Sequence, residues 1–133
     1  MDTWVIGRAN EKSRCAIEVM NNIYIKKHMI YVDKEKNGSR IIKEYETIVN
    51  GYIVSKKWLQ LMRSRNQIKK IKIKIKCKTF LKDKRDMKFI YVCDNSDCKQ
   101  IITEDSHFID QEDLLLKKGI KLLNLESCYV MTN

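Results

Sequence analysis

The chain has 133 residues, 44% apolar and 33% charged, which suits one globular domain with its own core and excludes a disordered chain. Its net charge of +10 is unevenly spread: residues 56–88 carry +12, residues 1–55 carry +2 and residues 89–133 carry −4. The basicity belongs to one local surface, which points to a polyanionic partner.

In chain order, residues 4–7 read as a short strand. Asn10 is expected to cap a helix over about 11–21, with Cys15, Ile17, Val19 and Met20 as its apolar positions. Residues 23–33 are rich in β-formers, Asn37-Gly38 is a turn signal, and residues 40–49 read as the returning strand of a hairpin. Asn50-Gly51 marks another turn, and 52–54 a third short strand. Ser55 sits where a helix cap belongs. Trp58, Leu59 and Met62 follow at helical spacing, among Lys56, Lys57, Arg63 and Arg65.

Residues 69–78 read Lys-Lys-Ile-Lys-Ile-Lys-Ile-Lys-Cys-Lys, so that from 70 onward lysine alternates strictly with an apolar residue. A strand sends alternate side chains to opposite faces. One face then carries Ile71, Ile73, Ile75 and Cys77, and the other Lys70, Lys72, Lys74, Lys76 and Lys78. With a polar turn at 82–86 and a strand at 88–93, this predicts a basic hairpin over 70–93. Arg63, Arg65, Lys82, Lys84 and Arg85 extend its charge. Asp110 is expected to cap a helix over 111–118 that stops at Gly119, and 120–125 and 128–131 read as late strands. The expected fold is α+β, with antiparallel strands and hairpins and about three short helices. It is one domain over 1–133, with the basic helix and hairpin at about 55–93.

The lysine face has other readings. Lysines keep an edge strand from pairing with other chains, and an acidic protein is also a polyanion. An AT-rich gene raises both Lys, at 21, and Ile, at 18, while holding Ala to 2 and Pro to none. Coding bias does not explain why the middle is strongly positive and the last third negative. Contact with DNA or RNA is the expectation. Trp58, Phe80, Phe89 and Tyr91 lie near the basic residues, where they suit either base stacking or the core.

Catalytic signals are sparse. His28 and His107 have no nucleophile placed beside them by local sequence. The four glycines make no phosphate loop. Asp94, Asp97, Glu104 and Asp105 are acids of a loop. No catalytic site of its own is expected.

Five cysteines without a leader read as reduced thiols or metal ligands. Met1-Asp2-Thr3-Trp4 opens no basic-then-apolar leader, and no run reaches the roughly 20 apolar residues of a membrane span. A cytoplasmic, non-membrane protein is expected. Cys93 and Cys98 form a C-x4-C pair of the kind that supplies two zinc ligands. In the expected hairpin Cys77 lies opposite 91–93, and Cys128 or His107 completes the set. The competing reading is that Cys77, which shares a face with three isoleucines, is simply a buried free thiol.

The stretch Arg85-Asp86-Met87-Lys88-Phe89-Ile90-Tyr91-Val92-Cys93, followed by Cys98, resembles the entry to the zinc-bearing clamp region near the end of the second-largest subunit of multisubunit RNA polymerases. There a similar Asp-x-Phe-x-Val-Cys stretch opens a C-x2-C pair; here four residues separate the cysteines. Length, basicity and Lys/Ile/Asn bias are similar to the small subunits of the two-subunit DNA-directed RNA polymerases of yeast cytoplasmic linear plasmids, which are virus-like elements. The resemblance implies an accessory, non-catalytic subunit that packs on a large polymerase subunit and places its lysine strand near nucleic acid. The alternatives are a stand-alone viral nucleic-acid-binding protein and an interaction module, such as a host-factor inhibitor, that presents a basic face.

Overall fold

In the computed structural model the described residues are 1–132. Helix α1 (Thr3–Asn10) starts on Asp2, whose carboxylate accepts from the Trp4 amide. Helix α2 (Arg14–Ile25) starts on Ser13, which accepts from the Ala16 amide. Residues 4–7 are therefore helical and not a strand, and Asn10 ends one helix instead of starting the next.

Strand β1 (Ile30–Lys34) leads through Gly38, at φ +96°, into helix α3 (Arg40–Val49). Only a residue without a Cβ takes that backbone readily, so the Asn-Gly signal marks a real turn. The chain emerging from it is a helix, and the expected hairpin of 23–33 with 40–49 is absent. Ser39 caps α3 through the Ile42 amide at 3.0 Å, and Ile41, Ile42, Tyr45 and Val49 are all buried on one helical face. That spacing outweighs the strand preference of the isoleucines.

Residues 53–54, expected as part of a strand, begin helix α4 (Ile53–Ser64). Ser55 lies inside this helix and donates to Asn10 Oδ1, while Asn10 Nδ2 donates to Ile48 O at 2.9 Å. Trp58, Leu59 and Met62 are buried as their spacing predicts, and Trp58 Nε1 donates to Met20 O at 2.8 Å.

Strand β2 (Ile68–Lys72) pairs with β1 in parallel, from Ile30 opposite Ile68 to Lys34 opposite Lys72. Parallel strands need a crossover, supplied here by α3 and α4. After β2 the chain runs without ladder partners to a 3₁₀ turn (Lys84–Asp86) and helix α5 (Met87–Asp94). The expected basic hairpin over 70–93 is overturned, because its second strand is α5. Met87, Phe89, Ile90, Val92 and Cys93 are buried around most of that helix, which packs on β1 and α3. A helix buried nearly all round loses the polar stripe that identifies helices in sequence.

The last third repeats the arrangement. Strand β3 (Gln100–Ile102) and strand β4 (Lys121–Leu123) are parallel, joined through helices α6 (Ser106–Ile109) and α7 (Glu112–Lys117). Asp110 closes α6 and does not cap α7; Gly119, at φ +81°, follows α7 as expected. Residues 128–131, expected as a strand, belong to helix α8 (Leu125–Thr132). The class is thus α+β, but with eight helices and two short parallel strand pairs among the described residues, not antiparallel hairpins with three helices.

Buried polar groups tie these elements together. Asp2 accepts from Thr103 Oγ1 at 2.6 Å, and its amide donates to Ile102 O at 3.0 Å. Gln67 Nε2 donates to Ile23 O and His28 O, both at 3.0 Å. Among the described residues no helix is long and apolar enough to cross a membrane.

Candidate nucleic-acid interface

Strand β2 lies beside β1 with Ile71 turned into the core, so Lys70 and Lys72 face solvent. Lys74, Lys76 and Lys78 continue the exposed series on the unladdered segment. Asn95, just past the end of α5, holds that segment. Its Oδ1 accepts from the amides of both Lys74 and Ile75 at 2.9 Å, and its Nδ2 donates to Ile75 O at 2.7 Å and to Tyr91 O at 2.8 Å.

In a strand, consecutive amides point to opposite sides. Two consecutive amides on one oxygen therefore bend the chain at 74–75. The expected alternation holds at Ile71 and fails at Ile75, which is 64% exposed.

The basic groups are not equivalent. Lys76 Nζ lies 3.6 Å from Glu35 and 5.7 Å from the Tyr91 ring. Arg63 pairs with Glu46, and Arg65 stacks over Tyr24 at 4.5 Å. Arg85 makes a forked pair with Asp83, at 3.1 and 2.9 Å, which pulls the Asp83 carboxyl down to about 2. Among the described residues Lys70, Lys72, Lys74, Lys78, Lys82 and Lys84 are exposed and form no ion pair. Trp58 and Phe89 are core residues, and Phe89 meets Phe108 edge-on with ring centres 6.1 Å apart.

The cysteines lie in different surroundings. Cys93, Cys98 and Cys128 line one cavity of about 170 Å³ beside α8. Cys77 lies outside that lining, where its neighbours are Asp94 and Lys118. Burial pushes the Cys93 thiol up to about 12 and the Cys128 thiol up to about 11.

Among the described residues no three of these sulfurs come within 4.8 Å of one another; the one such group of potential ligands is Asp83, Asp86 and His107. The four cysteines do not fit a tetrahedral zinc site in this arrangement. In the other group, Arg85 occupies both Asp83 oxygens, and His107 Nδ1 lies 3.5 Å from Asp86. The group brings the 3₁₀ turn and α6 together. Burial raises the Asp86 carboxyl, against the opposing pull of His107.

Sequence reading missed Asn95 and Glu35, the residues that shape the lysine segment. Asn95 sits inside the C-x4-C spacing, where the cysteines draw the attention. Asparagine directly after a helical run is a known helix-end signal, but α5 had first to be read as a helix. No family model matches the chain, and no characterised protein or solved structure matches it either.

Proposed function

We propose that this chain binds the phosphate backbone of nucleic acid along β2 and its continuation, as an accessory, non-catalytic subunit of a DNA-directed RNA polymerase. One observation carries the binding reading: Lys70, Lys72, Lys74 and Lys78 are exposed and form no ion pair among the described residues, and the first three sit on a backbone already held by β1 and Asn95. A held backbone need not be ordered on binding. Within β2, alternate lysines stand about 6.7 Å apart, against one phosphate per about 3.4 Å along a nucleic-acid strand. Lys70 and Lys72 suit every second phosphate, and such contacts read no bases. The polymerase setting rests on the resemblance at 85–98 together with size and composition, and its partner is a large polymerase subunit.

Four phosphate contacts give a log–log salt slope near about −3.6 on duplex DNA and about −2.8 on single strands. Replacing Lys70, Lys72, Lys74 and Lys78 by Gln is expected to flatten the duplex slope by about 3.6, equally for unrelated sequences. Fluorescence anisotropy across a salt series measures this. Since all four side chains are exposed, stability should change by only about 0.5 kcal/mol or less per site. An unchanged slope in the folded variant would reduce the row to a solvated edge. Affinity purification from native cells with mass spectrometry tests the setting. A co-purifying polymerase-sized chain supports the subunit, and its absence leaves a stand-alone binder.

A further inference from the structure

Away from the lysine row, α2 and α4 leave between them an apolar groove of about 330 Å³. Ile17 and Tyr24 form one wall, Ile53, Val54 and Leu61 the other, and Trp58 lies at its base, 5% exposed. Ile53 is 86% exposed and Val54 73%. Two adjacent β-branched residues this open, in the first turn of a helix, contribute nothing visible to the core. The lysine row does not account for them.

We infer that this groove docks one α-helix of a partner protein, an amphipathic helix with an apolar stripe and acidic flanks. The lining chooses a peptide over nucleic acid, since among the described residues Lys57 is its only charged side chain. The margins choose the sign of the flanks. Lys56 and Lys57 stand on the α4 side, and Arg65 is stacked on Tyr24 of the opposite wall. The nearby acid Glu18 is already held by Arg14 at 3.0 Å.

Helix α4 also begins at Tyr52 without a side-chain cap. Its first amides therefore have no side-chain acceptor, a place that an acidic side chain of the partner suits. A second copy of this chain would bring basic margins together on molecules that each carry +10, so self-association is disfavoured. Each wall helix has 12 residues, about 18 Å long. That admits about three turns of a docked helix, with anchors at i, i+4 and i+7.

The experiment is a selection on the whole protein from a display library of 18-residue helical peptides with randomised flanks. Expected winners carry Asp or Glu beside an i, i+4, i+7 apolar stripe. Synthetic winners should bind at micromolar concentrations by calorimetry. Copies with the acids changed to Lys should bind at least tenfold more weakly, as should the winners on the Ile53→Ser/Val54→Ser variant. That variant should keep its oligonucleotide affinity, which separates this site from the lysine row.

A second variant, Lys56→Glu/Lys57→Glu, guards against a folding defect in the first. It should lose affinity for acidic winners and gain affinity for their Lys-flanked copies. Failure to enrich acidic flanks, equal binding of the Lys-flanked copies, or indifference to both variants would overturn the proposal. So would sedimentation showing that the free chain is a dimer dissociated by Ile53→Ser/Val54→Ser, since a second copy would then be the occupant.

Discussion

Asp33 is 1% exposed, yet it is bonded on both oxygens, by Ser39 Oγ at 2.8 Å and by the amides of Arg40 and Ile41 at 2.9 Å. A buried carboxylate at a helix start satisfies amides that have no partner within the helix and meets the positive end of its dipole. Asp33→Ala leaves those donors unpaired and should cost about 3 kcal/mol in urea unfolding. Asp33→Asn, which keeps one acceptor oxygen, should cost less. The buried thiols give a second test. Cys93, at about 12, and Cys128, at about 11, stay protonated at pH 8 and should not react with a disulfide reagent until the chain unfolds. Both values lie above the ordinary 9.0, so the unfolded chain ionises first as pH rises. Their contribution to stability is complete below about pH 9 and declines above it. Fast labelling of either cysteine at pH 8 would mean that the cavity opens. Exposed lysines were legible in the sequence because charge and exposure go together. Asp33 was not, because its role depends on a helix that was read as a strand.

Among the elements, α4's buried face was legible from Trp58, Leu59 and Met62, since their spacing fits only a helix. Helices α3 and α5 were not, for opposite reasons. Helix α3 is rich in β-branched residues that tertiary burial overrides, and α5 is apolar almost all round. The error at α5 carried others with it, since it created the hairpin and the position of Cys77 opposite 91–93. The segment after β2 depends on one side chain for its conformation. Asn95→Ala removes the acceptor for the Lys74 and Ile75 amides and the donor to Ile75 O. These bonds are exposed, so global stability should fall by only about 1 kcal/mol. Hydrogen exchange at Lys74 and Ile75 should nevertheless rise sharply, while Ile71, laddered to β1, keeps its protection. Equal protection in the variant would show that something other than Asn95 holds the bend.

At the scale of the molecule, the concentration of charge was legible and the topology was not. Local pattern identifies strands but not their partners, and short connections favour hairpins until the intervening residues prove to be helices. Here each ladder waits on a crossover. Ile30 meets Ile68 only across α3 and α4, and Gln100 meets Lys121 only across α6 and α7. Closing such loops costs entropy before any ladder bond forms, and non-local parallel pairing is slow. Refolding should therefore protect amides of α3 and α4 before those of β2, as pulsed hydrogen exchange would record. A chain caught midway carries all of its lysines without their spacing, so its affinity for DNA should reach the native salt slope only once the β2 amides are protected.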